Sequence, residues 1–246
     1  MITGKPRDPE EEEEVNAEED YRFELAFFFG EEGRFYGIED ELHDLGELIK
    51  VVGKTVISEE AEFHAVQRRE QENAGEDYQS PTEGELAVWH KLKYRQFTYK
   101  AMISLIQSTF EAGAQRLHAL LTAEGQIEDL RKDREKLGDT LKDFAQLDPS
   151  LAAYWDQVRP FMFIRNKVGH QDGVYYKGDS NVDAFESFVE HRTDIKVTDE
   201  GILNGKHSFR MKITKSTVLT DYLNLVKEIF SELYKTAINR PVVSKK

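Results

Sequence analysis

The chain has 246 residues, of which 39% are hydrophobic, enough to bury one core with a small appended element. It contains no cysteine, which excludes disulfides, thiolate nucleophiles and thiolate metal sites. Its formal net charge of -14 argues against nonspecific binding to duplex nucleic acid, because lysine and arginine supply most of that affinity.

Half of the negative excess lies in residues 1–20, where two basic side chains face nine acidic ones. A block of like charges with nothing apolar to bury is predicted to be a disordered acidic tail. Neither a signal-peptide core nor an apolar run of about eighteen residues is present. We therefore expect a cytoplasmic protein with no membrane partner.

Residues 21–82 form the next segment, which we interpret as a helical or mixed N-terminal extension. Its apolar run Phe23 to Phe29 fits a strand or a buried helix start, and Ile38 to Val52 is typical of a helix. The stretch from Thr55 to Phe63 fits either state. Residues 67–84 have the composition of a loop.

Residues 83–240 are predicted to form a helical domain. Apolar residues recur every three or four positions between Glu83 and Leu121, which indicates one long amphipathic helix. A second stripe begins near Leu219 and ends before Pro241. The fold class is therefore mainly α, with helices that must pack into a bundle.

Between these helices the signals are shorter. Residues 126–144 are charge-rich with a thin apolar stripe, and Asp148-Pro149 is typical of an N-cap followed by proline in the first turn. Pro160 should kink or interrupt the helix that follows. Alternating residues around Asn204-Gly205 predict a small β-hairpin at about 194–214, before the last helix.

The candidate functional residues lie in Arg165-Asn166-x3-His170, where an apolar run delivers three polar side chains to a helix end marked by glycine. On a regular helix Asn166 and His170 share a face, whereas Arg165 and His170 are offset by about 140°. Their convergence therefore requires either an unwound turn at Gly169 or a second protomer. Glu111 on the long helix could pair with Arg165, or it could face solvent.

This motif, in a helical chain with a long upstream helix, resembles the HEPN superfamily, whose signature is arginine, four to six residues, then histidine. The resemblance covers about residues 83–239. It implies a homodimeric four- or five-helix up-and-down bundle in which two Arg165/His170 pairs face each other across a cleft. Many members of that family are metal-independent endoribonucleases that act as toxins or in antiviral defence, so RNA is the implied substrate, and an inhibitor or antitoxin protein is an expected partner.

The chemistry requires a group that moves a proton and a cation that holds the phosphate. His170 fits the first role and Arg165 the second, because guanidinium pairs with two phosphate oxygens. Asn166 would orient the substrate or the histidine, and the products would be 2',3'-cyclic phosphate and 5'-hydroxyl ends. Further candidate substrate-binding residues are Lys167, Tyr175 and Tyr176; we expect no cofactor and no metal.

Two alternatives stay open from the sequence. The domain could be a non-catalytic helical module for dimerisation or for binding nucleotides or RNA, in which Arg165 only ion-pairs and His170 only caps a helix. Acidic residues near His43 and His64 could seed a metal site, but the paired glutamate-x2-histidine segments of a di-iron bundle are missing. His118 is expected to be a surface or hydrogen-bonded structural residue.

Overall fold

A computed structural model describes residues 31–74, 81–133 and 136–238. The predicted acidic tail and the run from Phe23 to Phe29 lie outside the described residues. The chain divides into two compact units, Met1–His43 and Asp44–Lys246. The described part of the first unit is the beginning of one helix, and every site discussed below lies in the second unit.

The protein is mainly helical. Its α-helices are α1 (Glu31–Ala74), α2 (Pro81–Ala123), α3 (Leu137–Phe144), α4 (Ala153–Gln171), α5 (Val182–Val189) and α6 (Thr217–Ile238), and a 3-10 turn at Pro149–Ala152 precedes α4. Among the described residues, no helix is both long enough and apolar enough to cross a bilayer.

The long second helix and the last helix confirm the predictions made from their apolar stripes. The Asp148 carboxylate accepts a hydrogen bond from the Ser150 amide at 2.8 Å, so the predicted cap is present, although the first turn that it caps is 3-10. Pro160 does not interrupt α4, which is helical on both sides of it.

One prediction about helix extent was wrong. Within the loop predicted over residues 67–84, residues 67–74 belong to α1 and residues 81–84 to α2, while residues 75–80 lie outside the described residues. Among its described residues, the charge-rich stretch 126–144 is helical only in α3. Before it, Ile127 is buried while Leu130 is 63% exposed, so the thin apolar stripe does not mark one continuous helix.

The predicted hairpin is present as β2 (Ile195–Leu203) and β3 (Lys206–Ile213). Asn204 and Gly205 both have positive φ, as a tight primed turn requires. A third strand, β1 (Val174–Tyr176), was not predicted; it pairs antiparallel with β3 and makes the sheet order β1-β3-β2. Three residues are too short for alternation to show in the sequence.

An aromatic cluster joins α4 to the sheet. Phe163 packs edge-on to Tyr175 at a centroid distance of 5.5 Å, and Phe185 of α5 packs against both rings. Phe209 of β3 stacks on Tyr175 at 5.3 Å. Aromatic pairs at these separations add to the free energy of area burial, so this cluster fixes the C-terminal half of α4 against the sheet.

Candidate functional site

Arg165 and Asn166 lie in the last two turns of α4, and the Arg165 guanidinium donates a hydrogen bond to the Asn166 side-chain oxygen at 3.0 Å. Asn166 is exposed and Arg165 is half-buried. Within the described part of the chain, Arg165 makes no ion pair with a carboxylate. The guanidinium is therefore oriented by a neutral neighbour, and its positive charge remains available to bind an anion.

Buried aromatic and polar residues lie beneath Arg165. One turn earlier in α4, Phe161 stacks on Tyr222 of α6 with centroids 4.5 Å apart and rings within 5° of parallel. The Tyr222 hydroxyl donates to the Gln107 side-chain oxygen, and the Gln107 amide donates to Glu111 at 2.6 Å. Glu111 therefore faces the interior partly, but it bonds with Gln107 rather than with Arg165.

The charges at this site are close enough to affect one another. Burial raises the pKa of Tyr222 well above its ordinary value, Glu111 adds to that rise, and Arg165 opposes it. Tyr222 therefore stays a neutral hydrogen-bond donor over the working pH range. The Arg165 cation contributes to the electrostatic field around this buried pair although it does not touch Glu111.

His170 lies exposed in the last turn of the same helix. The helix does not unwind at Gly169 but continues to Gln171, and it ends where Asp172 and Gly173 take positive φ. Five positions on a regular helix turn the side-chain direction by about 140°. One protomer therefore directs Arg165 and His170 to different sides of α4, and unwinding is removed as a route to convergence.

Asn166 and Lys167 border an open groove of about 250 Å³ between α4 and the loop before α5. Its lining from α4 is Trp155, Arg159, Met162, Phe163, Asn166 and Lys167, and from the loop Asp179, Ser180 and Asn181. Lys167 bonds to Asp179 at 2.6 Å and to Gln171 at 3.0 Å. Lys167 thus carries a largely neutralised charge within the groove.

The two tyrosines after the motif have different environments. Tyr175 is 1% exposed, and burial raises its pKa to about 12, with Glu186 adding to the rise. Its ring is packed into the aromatic cluster, which leaves no face for a nucleotide base and argues against the substrate role predicted for it. Tyr176 is half-exposed on the opposite face of the sheet, with the Lys206 ammonium 5.9 Å from its ring centroid.

Three potential metal ligands meet elsewhere, beside the C-terminal half of α2. One ligand atom each from His118, Asp129 and Asp143 lies within 4.8 Å of the others. The Asp143 carboxylate accepts hydrogen bonds from His118 at 2.8 Å and from the Leu130 amide at 3.0 Å. Both oxygens of Asp129 are bonded by the Arg131 guanidinium.

This cluster is therefore a hydrogen-bonded network in which Arg131 already supplies the cation. His118 is fully buried in it, as a structural residue rather than a surface one. The groups near His43 and His64 form no three-ligand cluster among the described residues, and the side chain of His64 lies outside them.

Residues that the sequence did not single out also border the site. Arg159 and Trp155 reach the groove, and Arg159 lies 5.5 Å from the Trp155 ring centroid. Arg159 and Trp155 lie four and eight positions before Phe163, and this spacing could have indicated from the sequence that they share a side of α4 with Phe163.

Comparison of the chain with protein-family models, with curated proteins and with solved structures gives no match.

Proposed function

We propose that this protein is a metal-independent endoribonuclease that acts as a homodimer, with Arg165, Asn166 and His170 at its active site. The observation that carries the proposal is the state of Arg165: a guanidinium hydrogen-bonded to a neutral amide, with no described carboxylate paired to it, at the end of a helix that also exposes His170. A purely structural arginine at a half-buried position would be expected to neutralise a carboxylate.

The reaction follows from the chemistry of these groups. The imidazole of His170 takes the proton of a ribose 2'-hydroxyl, and the 2'-oxygen forms a bond to the adjacent phosphorus. Arg165 binds the phosphate oxygens, on which negative charge increases, through its planar donors. The bond from phosphorus to the 5'-oxygen then breaks, and that oxygen takes the proton from the same, now protonated, imidazole.

The proton balance closes because the imidazole that removes the proton of the 2'-hydroxyl gives a proton to the 5'-oxygen. The products are a 2',3'-cyclic phosphate end and a 5'-hydroxyl end. The mechanism requires a dimer because α4 is regular from Ala153 to Gln171, so that Arg165 and His170 of one protomer point in different directions. A two-fold axis beside the end of α4 would bring Arg165 of one subunit near His170 of the other.

This proposal includes the bundle fold expected from the HEPN resemblance. It also includes a role as a toxin or antiviral effector. Such a role supposes that activity is restrained until needed, by an inhibitor protein or by the acidic tail. Expression of the chain alone should then arrest growth of a host cell. Expression of Arg165→Ala should not.

The direct test is cleavage of single-stranded or transfer RNA in EDTA by the wild-type chain, by Arg165→Ala and by His170→Ala. Matched controls are Arg116→Ala and His191→Ala, which remove an exposed side chain of the same type. We expect activity to fall at least about a hundredfold in the first two variants and to change little in the controls. Activity that survives in both site variants refutes the assignment.

One observation favours a second candidate, a non-catalytic helical module that dimerises or binds nucleotides or RNA. The same regular α4 that makes a dimer necessary also separates the two groups within each protomer. A chain that is dimeric by analytical ultracentrifugation but leaves RNA intact would belong to this second class. A monomer that cleaves RNA would contradict the dimer mechanism.

A further inference from the structure

Basic residues alternate along β3, the central strand of the sheet. Lys206, Arg210 and Lys212 share one face with Ser208, because successive strand side chains point to opposite faces. One face of the sheet carries Tyr175 and Phe209, and this face packs in the aromatic cluster. The opposite face, which we call the basic face, carries the cations and Tyr176.

A like-charge pair lies on this basic face. The sheet register places Lys196 of β2 directly opposite Lys212 of β3. Like charges in a cross-strand pair destabilise a sheet. Among the described residues neither lysine forms an ion pair, and Glu200, whose pKa Lys212 helps to lower, is already paired with Arg210. Two lysines that oppose each other without a paired carboxylate are better explained by an anion that binds them both than by the stability of the hairpin.

Lys206 lies at the other end of the row of cations on β3. Its ammonium group lies over the Tyr176 ring at 5.9 Å. Burial would raise the pKa of Asp179, but hydrogen bonds from Lys167 and from the Tyr176 amide lower it, and the charge of Lys206 adds a smaller lowering. Asp179 borders the groove that contains Asn166. The basic row therefore ends beside the groove at the motif helix.

The middle of the row contacts the end of α4. Arg210 donates a hydrogen bond to the Asp172 carbonyl oxygen at 3.2 Å, two residues beyond His170. The same guanidinium forms a two-point ion pair with Glu200, at 2.5 and 2.9 Å. Arg210 is thus a fixed link between sheet and helix, and the unpaired lysines supply the net charge.

We propose that the basic face, defined by Lys196, Lys206, Arg210 and Lys212 around Tyr176, binds the backbone of single-stranded RNA and leads it to the end of α4. This inference rests on the proposed function and names a binding surface for its substrate. It also explains how a chain of net charge -14 could hold RNA, since the attraction is local.

A single strand fits this face better than a duplex. Side chains two positions apart on a strand are about 6.8 Å apart, comparable with the separation of consecutive phosphates in an extended single strand. The cations of β3 form one row, to which Lys196 adds a single cation on β2, rather than two facing rows. Tyr176 offers a ring to an unstacked base, and stacking does not depend on sequence.

The test measures binding of a fluorescent 2'-O-methyl RNA of about twelve nucleotides, which cannot be cleaved because its nucleophile is blocked. Fluorescence anisotropy compares the wild-type chain with K196Q/K212Q and with the control K142Q/K235Q. The control removes the same charge from exposed helical lysines that pair with neighbouring acids. All three proteins are first compared by thermal unfolding, where K196Q/K212Q should melt no lower than wild type because a like-charge pair is removed.

We expect K196Q/K212Q to bind roughly tenfold more weakly, and the slope of log affinity against log salt to fall by about 0.7 for each phosphate that the variant no longer neutralises. The control should bind within about twofold of wild type. Equal binding by the two double variants overturns the proposal. So does lysine-dependent binding of a peptide spanning residues 8–20 in place of RNA, because the face would then take the acidic tail.

Cleavage of unmodified RNA separates this inference from the function on which it rests. A chain that binds RNA through Lys196 and Lys212 but does not cleave it supports the surface and refutes the enzyme. A chain that cleaves RNA with no effect of K196Q/K212Q on binding or KM supports the enzyme and refutes the surface.

Discussion

The carbonyl oxygen of Gly173 accepts a hydrogen bond from the Met211 amide at 2.9 Å, and this pair joins the end of α4 to the central strand of the sheet. A β-carbon at position 173 would clash with the Met211 carbonyl oxygen. Gly173 also has a φ of +79°, and its amide donates to the Lys167 carbonyl oxygen at 2.9 Å. Only glycine satisfies both the backbone conformation and the close approach.

Gly173→Ala is expected to lower the free energy of unfolding by about 2 to 4 kcal/mol, because strain at positive φ adds to a backbone clash. Gly178→Ala is the matched control: its φ is +94°, but nothing lies within 4 Å of the added β-carbon. It should cost only about 1 to 2 kcal/mol. Urea unfolding of both variants measures the difference, and equal costs would show that the close approach to Met211 is unimportant.

Mixing inactive protomers tests whether the site forms between subunits. If Arg165 acts with His170 of the partner subunit, a heterodimer of Arg165→Ala and His170→Ala contains one intact pair. Random exchange at equal concentration then restores about a quarter of wild-type activity, since half of the dimers are mixed and each has one of two pairs. The measurement is RNA cleavage after subunit exchange.

The control for this experiment is each variant exchanged with itself, which should remain inactive. Mixtures that stay inactive while mass spectrometry detects heterodimers would place both groups of a working pair in one subunit. That result would contradict the divergence of the two side chains on α4.

We expect the hydroxyl of Tyr222 to contribute to the stability of the fold in addition to the packing of its ring. Tyr222→Phe preserves the stack on Phe161 but leaves the buried Gln107 oxygen without the tyrosine donor. We expect the free energy of unfolding to fall by about 1 to 3 kcal/mol. Tyr154→Phe removes a hydroxyl that bonds to Glu228 at 3.0 Å in an exposed setting, and should cost less than about 0.5 kcal/mol. Similar costs for the two variants would argue against a buried polar network.

Asp194 should make stability depend on pH at the acidic end. Burial alone would raise the pKa of this carboxyl, but hydrogen bonds from Arg192 and Thr217 outweigh it and lower the pKa below 3.8. A depressed pKa in the folded state stabilises the protein above the ordinary pKa, and the contribution is lost as pH falls through the folded value. At pH 7, Asp194→Asn should cost about 1 to 3 kcal/mol.

The measurement is urea unfolding of wild type and Asp194→Asn between pH 7 and pH 2. The gap between them should narrow only below the ordinary pKa of 3.8. Glu190→Gln serves as the control because that side chain is exposed, and it should stay within about 0.5 kcal/mol of wild type. A constant gap for Asp194→Asn across the whole range would mean that the charge of Asp194 does not contribute.

The parts of the fold that the sequence predicted are those with local signals. The stripes in α2 and α6, the cap at Asp148 and the Asn204-Gly205 turn depend on periodicity and turn chemistry within a few residues, and the structure confirms them. Strand β1 was missed because it is held by pairing with β3, more than thirty positions later. The thin apolar stripe over residues 126–144 did not indicate that the Asp143 carboxylate accepts a hydrogen bond from the Leu130 amide, 13 positions earlier.

The sequence by itself determined the mainly helical class, the hairpin before the last helix and the presence of Arg165, Asn166 and His170 near a helix end, because these depend on neighbours in the chain. The tertiary structure decided that α4 stays regular past Gly169 and ends at Gln171, two residues before Gly173, where a close backbone approach to Met211 requires glycine. It also decided that Tyr175 is core and Tyr176 is surface, since sheet pairing sends adjacent side chains to opposite faces. Those contacts join residues far apart in the chain, and no local pattern encodes them.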